Sequence, residues 1–541
     1  MLRLAPPDPV ETLWNDLLPA SVRQLPEDLA AIDQLLADPA LLLPFRKRWA
    51  ELHGGQAPRE GRPSIPMGTY LRLMVIKHRC RWGYETLVRE VSDSIHLRRF
   101  CLISLSGVVP HESTVRKLTR RLGPPLVEEL TRGLFEKAHR ERRFRPRVMR
   151  VDSTVAEADI RFPTDAGLCA DAVRRLARDA RKLRRLMPAV TGKVRNRGRA
   201  VGKRLRALGR SLSRRTGEAK SAVRRFTEQA AAQVRASVRE ARRVTAEARK
   251  ALSLARSSSK RRAQQAIQRA QATIALAERV MDQIRKRFAE EKIEDRVVSL
   301  ADPEARPVRR GKLAHPNEFG YVVQFAEVTE HTRRGARGLI LPPKLRPGST
   351  HENTLLPETA AELNGLTIAL REAVFDAGFL PKPTEEALGQ AGATAFIVGT
   401  PHPGSRRTRR RLARYRVGCE GRISHLKRQY GAGRSRLRGV AGAQIWEGWA
   451  VFAYDLATLA RMPATGDRPG SPAGSKYSRS RKNGNPAPHS GRAPSKRHTI
   501  GARSGRCQHA SVVARRLWFS LPVFPGEVAS RVSCMCAGKL N

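Results

Sequence analysis

The chain has 541 residues, with 103 Lys and Arg against 50 Asp and Glu and a formal net charge of +53. Its sequence pI of about 11.5 lies far outside the range usual for a metabolic enzyme. The excess implies a polyanionic partner, because neutralising phosphates releases counterions and offsets the self-repulsion of so basic a chain. Basicity alone does not separate DNA from RNA, and the preference for Arg over Lys suits bidentate phosphate contacts or a genome rich in G and C. The length is enough for two or three domains with sizeable cores. Seven scattered cysteines, an odd number, give no disulfide framework and suit a reducing cytosol. No apolar run approaches the roughly 20 residues that span a bilayer, and the start, MLRLAPPDPVETLW, has no signal-peptide core. A soluble, cytoplasmic protein without a membrane partner is expected.

Residues 1–145 read as all-helical, punctuated by Pro and Gly. GTYLRLMVIKHRCRWGYETLVREVSDSIHLRRF carries apolar residues at helical spacing, with Gly83 as a turn between helices. HESTVRKLTRRLGPP predicts a short helix ended by Gly123 and Pro124, with Val115, Leu118 and Leu122 on one side. Arg116, Lys117, Arg120 and Arg121 face outward, which fits the second helix of a helix-turn-helix unit that touches DNA. The same pattern also fits a basic helix that is merely solvated.

RVMRVDST then reads as a buried strand delivering Asp152 at its tip. From about 166 to 295 runs a long, Arg-rich, proline-poor stretch. Val173, Leu176, Ala180, Leu183 and Met187 recur in steps of three and four until Pro188, and Ile274, Ala277, Met281, Ile284 and Phe288 repeat the pattern. Breaks at Pro188, Gly202 and Ser257 to Ser259 predict two to four helices in a hairpin or bundle, coiled-coil-like in its seams. Outward Arg and Lys favour contact with DNA or a partner, the alternative being a solvated coiled coil.

Strand patterns resume with EFGYVVQFAEVTE and GLILPP, followed by a helical segment TAAELNGLTIALRE. EAVFDAGF reads as a second strand ending on an acid, Asp376. TAFIVGT is a further strand, and a helix bearing Arg416, Glu420 and Lys427 follows the basic loop PHPGSRRTRRRLARYR. His351 and Glu352 in GSTHENT read as a turn, with a substrate role as the other reading. From 463 onward Gly, Ser, Pro, Arg and Lys dominate, and no packed core can come from that composition.

Three carboxylates from two strands and a helix form a donor set of hard oxygens suited to Mg²⁺, which keeps several waters for substrate. Two ions roughly 4 Å apart can activate an attacking oxygen and stabilise a leaving one at a phosphodiester. Arg416, Glu420 and Lys427, spaced i, i+4 and i+11, fall on one helical face. That face could hold metal and phosphate together, or be an exposed salt-bridged surface. Any one of 50 acids is more often a solvated group; the pattern of apolar strand, acid and polar exit, found twice, singles these out. Cys419 reads as a small buried residue, and Cys507, Cys534 and Cys536 lack zinc-ligand spacing.

On these residues the chain resembles the DDE transposases of bacterial insertion sequences. Asp152 in MRVDST resembles the first acid of that family, Asp376 in FDAGF the second, and Glu420 the third. The family's helix often reads Tyr, two residues, Arg, three residues, Glu, six residues, Lys. Arg416, Glu420 and Lys427 fit it, while Ala413 takes the Tyr position with Tyr415 nearby. The Arg-Gly that usually follows the second acid is replaced by Ala377 and Gly378. HLKRQYGAGRSRLRG and the Trp-bearing helix IWEGWAVFAYDLATLAR add to a likeness covering about residues 40 to 462.

The resemblance implies an α/β fold with a ribonuclease H-like mixed sheet. It implies a helical DNA-binding domain over 1–145, a catalytic domain over 146–462 with a helical insertion at 166–295, and a basic tail at 463–541 outside the fold. It also implies two Mg²⁺ or Mn²⁺ ions on Asp152, Asp376 and Glu420, with Arg416 and Lys427 orienting a phosphate or the third acid. The expected partner is double-stranded DNA at element ends and target, met by a homodimer in a bacterial nucleoid. The expected function is cleavage and strand transfer at insertion-sequence ends. Two other readings stay open: a catalytically inactive DNA-binding remnant, and a ribonuclease H-like nuclease unrelated to transposition.

Overall fold

The computed structural model describes residues 24–54, 65–203, 216–253, 257–309, 317–348, 350–389 and 392–463, together with positions 2, 3, 19, 21 and 206. Contacts divide the chain into Met1–Gly470 and Ser471–Asn541, and every described element belongs to the first of these units. The tail beyond 463, with Cys507, Cys534 and Cys536, lies outside the described residues.

Helices dominate the amino-terminal part: α1 (Glu27–Leu36), α2 (Leu43–His53), α3 (Met67–Arg79), α4 (Tyr84–Asp93), α5 (Ile95–Phe100) and α6 (Glu112–Arg140). Gly83 caps α4, as its place between two periodic runs predicts. In α6, Val115, Leu118 and Leu122 are buried while Arg116, Lys117, Arg120 and Arg121 are exposed. The helix breaks at Gly123, whose φ of 72° favours glycine, and restarts over Pro124 and Pro125, which need no backbone donor in a first turn.

β1 (Val148–Ala158) leads into three long helices, α7 (Asp165–Leu186), α8 (Gly217–Ala251) and α9 (Ser257–Phe288), each packed against the other two. The predicted seam of Val173, Leu176, Ala180, Leu183 and Met187 is buried. Its partners are small: Ala230, Ala241, Ala248, Ala266 and Ala277 are buried too, which lets the helices approach closely. Most Arg and Lys on these helices face outward, so the charge excess costs little desolvation.

The remaining elements are β2 (Arg306–Arg309), β3 (Asn317–Thr329), β4 (Leu339–Ile340), β5 (Lys344–Pro347), α10 (Leu356–Gly365), β6 (Glu372–Phe375), α11 (Pro381–Gly389), β7 (Thr394–Ile397), α12 (Arg406–His425), β8 (Arg434–Ser435) and α13 (Val440–Leu459). β1 to β8 form one mixed sheet with a main path β2-β3-β1-β6-β7; β4 and β5 also pair with β3, and β8 with β1. β1 is antiparallel to β3 and parallel to β6, which is parallel to β7. Alternate residues Arg150, Asp152 and Thr154 share one face of β1. On that face lies α12, held by a cluster of Val148, Val374, Phe396, Leu412 and Tyr415. α10 covers the other, where Thr359 donates to Gln324 at 2.9 Å and Val155, Val322 and Leu355 pack together.

α13 ties the helical part to the sheet. Trp449 meets Tyr70 of α3 edge-on, with ring centroids 6.1 Å apart. A Cβ on Gly448 would stand 2.6 Å from a methyl of Val127, so glycine is what lets α13 lie against α6. One hydrophobic cluster therefore runs from α1 through the sheet to the end of α13.

Two expectations are corrected by the structure. Asp152 is not at a strand tip: β1 continues six residues further, to Ala158, because β3 pairs with it as far as Glu157. The helical segment expected over TAAELNGLTIALRE stops at Gly365. Thr367 adopts a positive φ of 51° and β6 begins at Glu372, since Gly and the β-branched pair Thr367–Ile368 are poor helix formers.

Candidate active site

β6 pairs with β1 only as far as Val374 opposite Arg150. Continuing that parallel register by two residues sets Asp376 level with Asp152. β8 takes up the same edge of β1 again at Glu157, so the edge lies open in between, at the carboxyl end of β6. Open α/β sheets offer their ligand crevice at such a place. Asp152 is mostly enclosed, its side chain 13% exposed, whereas Asp376 in the following loop is 50% exposed. Each carboxylate accepts the N–H of the next residue, Ser153 at 2.8 Å and Ala377 at 2.9 Å.

α12 brings the third acid. Ser405 caps its first turn by accepting from Thr408 N–H, and Leu412, Tyr415 and Cys419 press its inner side onto the sheet. Arg416, one turn before Glu420, is only 7% exposed. Its Nη2 lies 3.2 Å from Asp152 and 2.9 Å from Asp376, and its Nη1 lies 3.7 Å from Glu420, which is 76% exposed. Asp152 and two acids more than two hundred residues beyond it thus converge on a single guanidinium. Among the described residues no three His, Cys, Asp or Glu side chains stand close enough as they are to hold a metal ion; the carboxylates are spread around Arg416.

Burial pushes the Asp152 carboxyl above the usual aspartate range. Arg416 and the Ser153 N–H pull it back, and the neighbouring Asp376 and Glu420 add to the rise. Arg416 Nε is buried without a hydrogen-bond partner among the described residues.

Lys427 does not continue the face of α12 as its i+11 spacing suggests. The α-helix ends at His425, and Leu426–Tyr430 form a π-helical turn closed by Gly431 at a φ of 79°. The wider turn sends Lys427 Nζ to the Thr154 hydroxyl at 2.7 Å and the Val155 carbonyl at 2.9 Å, one same-face step beyond Asp152. Arg416 and Lys427 still flank one stretch of β1.

Sequence reasoning passed over the network that docks α12. Arg150, two residues before Asp152, is buried. It donates to Glu327 at 2.6 and 2.8 Å and to the carbonyls of Tyr415 and Ala336 at 3.0 and 3.1 Å. Arg422 of α12 reaches the other oxygen of Glu327 at 3.0 Å. Gly418 is part of this joint, because a Cβ there would collide with the Arg150 guanidinium. The signal was present in the shared face of Arg150 and Asp152, but charged residues in a strand read as exposed.

His351 and Glu352 occupy a turn, as the simpler reading has it. His351 caps the short 3₁₀ segment Glu352–Leu355, and Asn353 bonds Leu380 and Thr384 in and after the loop that follows Asp376. Arg116, Lys117, Arg120 and Arg121 lie on α6, apart from the acids in sequence and solvent-exposed; Arg121 contacts the ring of His53 at 2.6 Å. Cys419 is buried and its thiol is pushed up by that burial.

Residues 21–121 match the family described as Transposase domain (DUF772). The match covers α1 to α5 and the first part of α6, and supports a transposase family. No curated protein and no solved structure matches the chain. No helix among the described residues is long and apolar enough to cross a membrane.

Proposed function

We propose that the chain is a DDE-type transposase, which binds the ends of its own mobile element, cuts a DNA strand with water, and joins the freed 3′ hydroxyl to target DNA. The observation that carries this reading is the convergence of Asp152, Asp376 and Glu420 on Arg416, beside the open edge of β1. The order of the sheet supports a ribonuclease H-like fold, with a long first strand between an antiparallel neighbour and a short parallel pair. The match to a transposase domain over residues 21–121 supports the same class from the other end of the chain.

The donor set suits a pair of Mg²⁺ or Mn²⁺ ions by its chemistry: three carboxylates, hard oxygens only, gathered about one guanidinium. Asp152, Asp376 and Glu420 would hold them, and the ions when bound would supply charge for the attacking and leaving oxygens. The chain's own residues do the rest. β1 holds Asp152 within the sheet and β6 delivers Asp376 in the loop just past its end, while Glu420 lies on exposed helix surface. Arg416 supplies a fork that matches a phosphate bidentately. Lys427 fastens the π-helical turn to β1 and keeps a second positive charge near the same strand. Catalysis on this reading is positioning and charge stabilisation, with no covalent protein intermediate.

DNA is the partner through the basic face of α6 and the Arg-rich start of α12, and pairing of two ends makes a homodimer the working form in a bacterial cytoplasm. The test is incubation of the full chain with Mg²⁺, a duplex carrying the inverted repeats that flank its gene, and a target plasmid. Nicked and joined products are expected. Cutting without preference for the repeats, and without joining, would favour a plain ribonuclease H-like nuclease, and binding without cutting an inactive remnant.

A further inference from the structure

The three acids are not bare. Arg416 stands among them at 3.2, 2.9 and 3.7 Å, enclosed in the protein, and among the described residues its Nε has no hydrogen-bond partner. A Mg²⁺ ion binds carboxylate oxygens at about 2.0–2.1 Å. An ion between Asp152 and Asp376 would draw on the same oxygens that Arg416 Nη2 now contacts, with two positive centres a few ångströms apart and little water between them. Guanidinium and metal therefore compete for these carboxylates.

A phosphate offers the guanidinium an alternative partner of matching geometry. Arg409, exposed and about two turns before Arg416 on the same side of α12, would help to bring one near. Asp376 and Glu420 are exposed as well, so the acids can be reached from solvent.

We propose that Arg416 is a gate which makes metal loading depend on DNA: in the free protein it neutralises the acids, and a DNA phosphate draws it away so that they become free to take metal. This rests on the metal-dependent reading of the site and adds an order of events to it. DNA and metal then bind with positive coupling, which by linkage is the same in both directions. A protein so guarded does not cleave until it is seated on its substrate.

The experiment measures Mn²⁺ binding to the full chain by electron paramagnetic resonance, with and without a short duplex from the DNA flanking its gene, the Asp152→Asn protein with the same duplex being the blank. Without DNA, Arg416→Gln should bind Mn²⁺ at least about tenfold more tightly than wild type, the scale of one charged neighbour at this distance. Arg416→Lys, which keeps the charge, should stay near wild type. DNA should tighten Mn²⁺ binding to wild type and leave Arg416→Gln nearly unchanged. Equal affinity of wild type and Arg416→Gln without DNA overturns the gate while leaving the metal site standing. Absence of binding above the blank in every protein, with and without DNA, overturns the metal site itself. If Arg416→Gln does not fold, the wild-type protein decides alone: Mn²⁺ affinity indifferent to DNA contradicts the gate.

Discussion

Arg150 and Glu327 are cross-strand partners on β1 and β3, joined by two hydrogen bonds of 2.6 and 2.8 Å in a place almost closed to water. Glu327 also accepts from Arg422 and from the Gly338 N–H. The pair is what seats α12, and with it Arg416 and Glu420, over Asp152. Breaking a buried ion pair from one side leaves an uncompensated charge and costs about 3–5 kcal/mol. Glu327→Ala strands two buried guanidinium groups, so a loss of that size is expected in urea unfolding, with cleavage falling further than DNA binding.

Gly418 tests the same joint by shape. A methyl there meets the Arg150 guanidinium, and overpacking of this kind costs about 1–3 kcal/mol. Gly418→Ala should lower the unfolding midpoint accordingly. Combined with Arg150→Ala it should cost less than the sum of the two changes, because the collision is then gone. Strict additivity in this double-mutant cycle would argue against the joint.

The exposed face of α6 should act through charge alone. Changing Arg116, Lys117, Arg120 and Arg121 together to Gln should weaken duplex binding and reduce the slope of log affinity against log salt by up to about 3–4. Unfolding should scarcely change, since all four side chains are exposed. An unchanged salt slope would remove this helix from the DNA interface.

Two carboxyls on α13 give the fold a pH signature. Glu447 is fully buried, with neither oxygen bonded among the described residues. Asp455 accepts the Ile340 N–H at 2.8 Å through one oxygen and nothing through the other. Burial raises both well above the usual carboxyl range. Groups raised in the folded state contribute fully below their unfolded values, near pH 4, and that contribution is lost as pH climbs toward the folded ones. Each can cost up to about 1.4 kcal/mol per pH unit in that window. The stability of Glu447→Gln relative to wild type should therefore grow between pH 4 and 7. A difference that stays flat would mean Glu447 is ionised or solvated.

Much of this architecture is legible in the chain because apolar periodicity reports burial. The runs around Val148 to Val151, Tyr321 to Val328, Ala373 to Phe375 and Ala395 to Ile397 became neighbouring strands, and the seams from Val173 to Met187 and from Ile274 to Phe288 became packed helices. Periodicity fails where a polar residue finds a partner from elsewhere in the chain. Thr154 read as the exit from a strand, yet Lys427 satisfies its hydroxyl and β1 runs on. Arg150, Glu327 and Arg422 carry no local sign of burial, because their pairing spans positions far apart in sequence. The three acids were legible one by one as exits from apolar runs or as a helical spacing. That Arg416 stands between them is a tertiary fact no local pattern carries.

The most direct measurement is Mg²⁺-dependent nicking of a duplex carrying the flanking inverted repeats, compared among wild type, Asp152→Asn, Asp376→Asn and Glu420→Gln at matched DNA occupancy. Residues acting as one unit fail together, so each change should reduce cleavage by about a thousandfold or more while duplex binding holds. Wild-type cleavage that persists in any one of the three variants, or that proceeds equally in excess chelator, would contradict a single metal-dependent centre built from these acids.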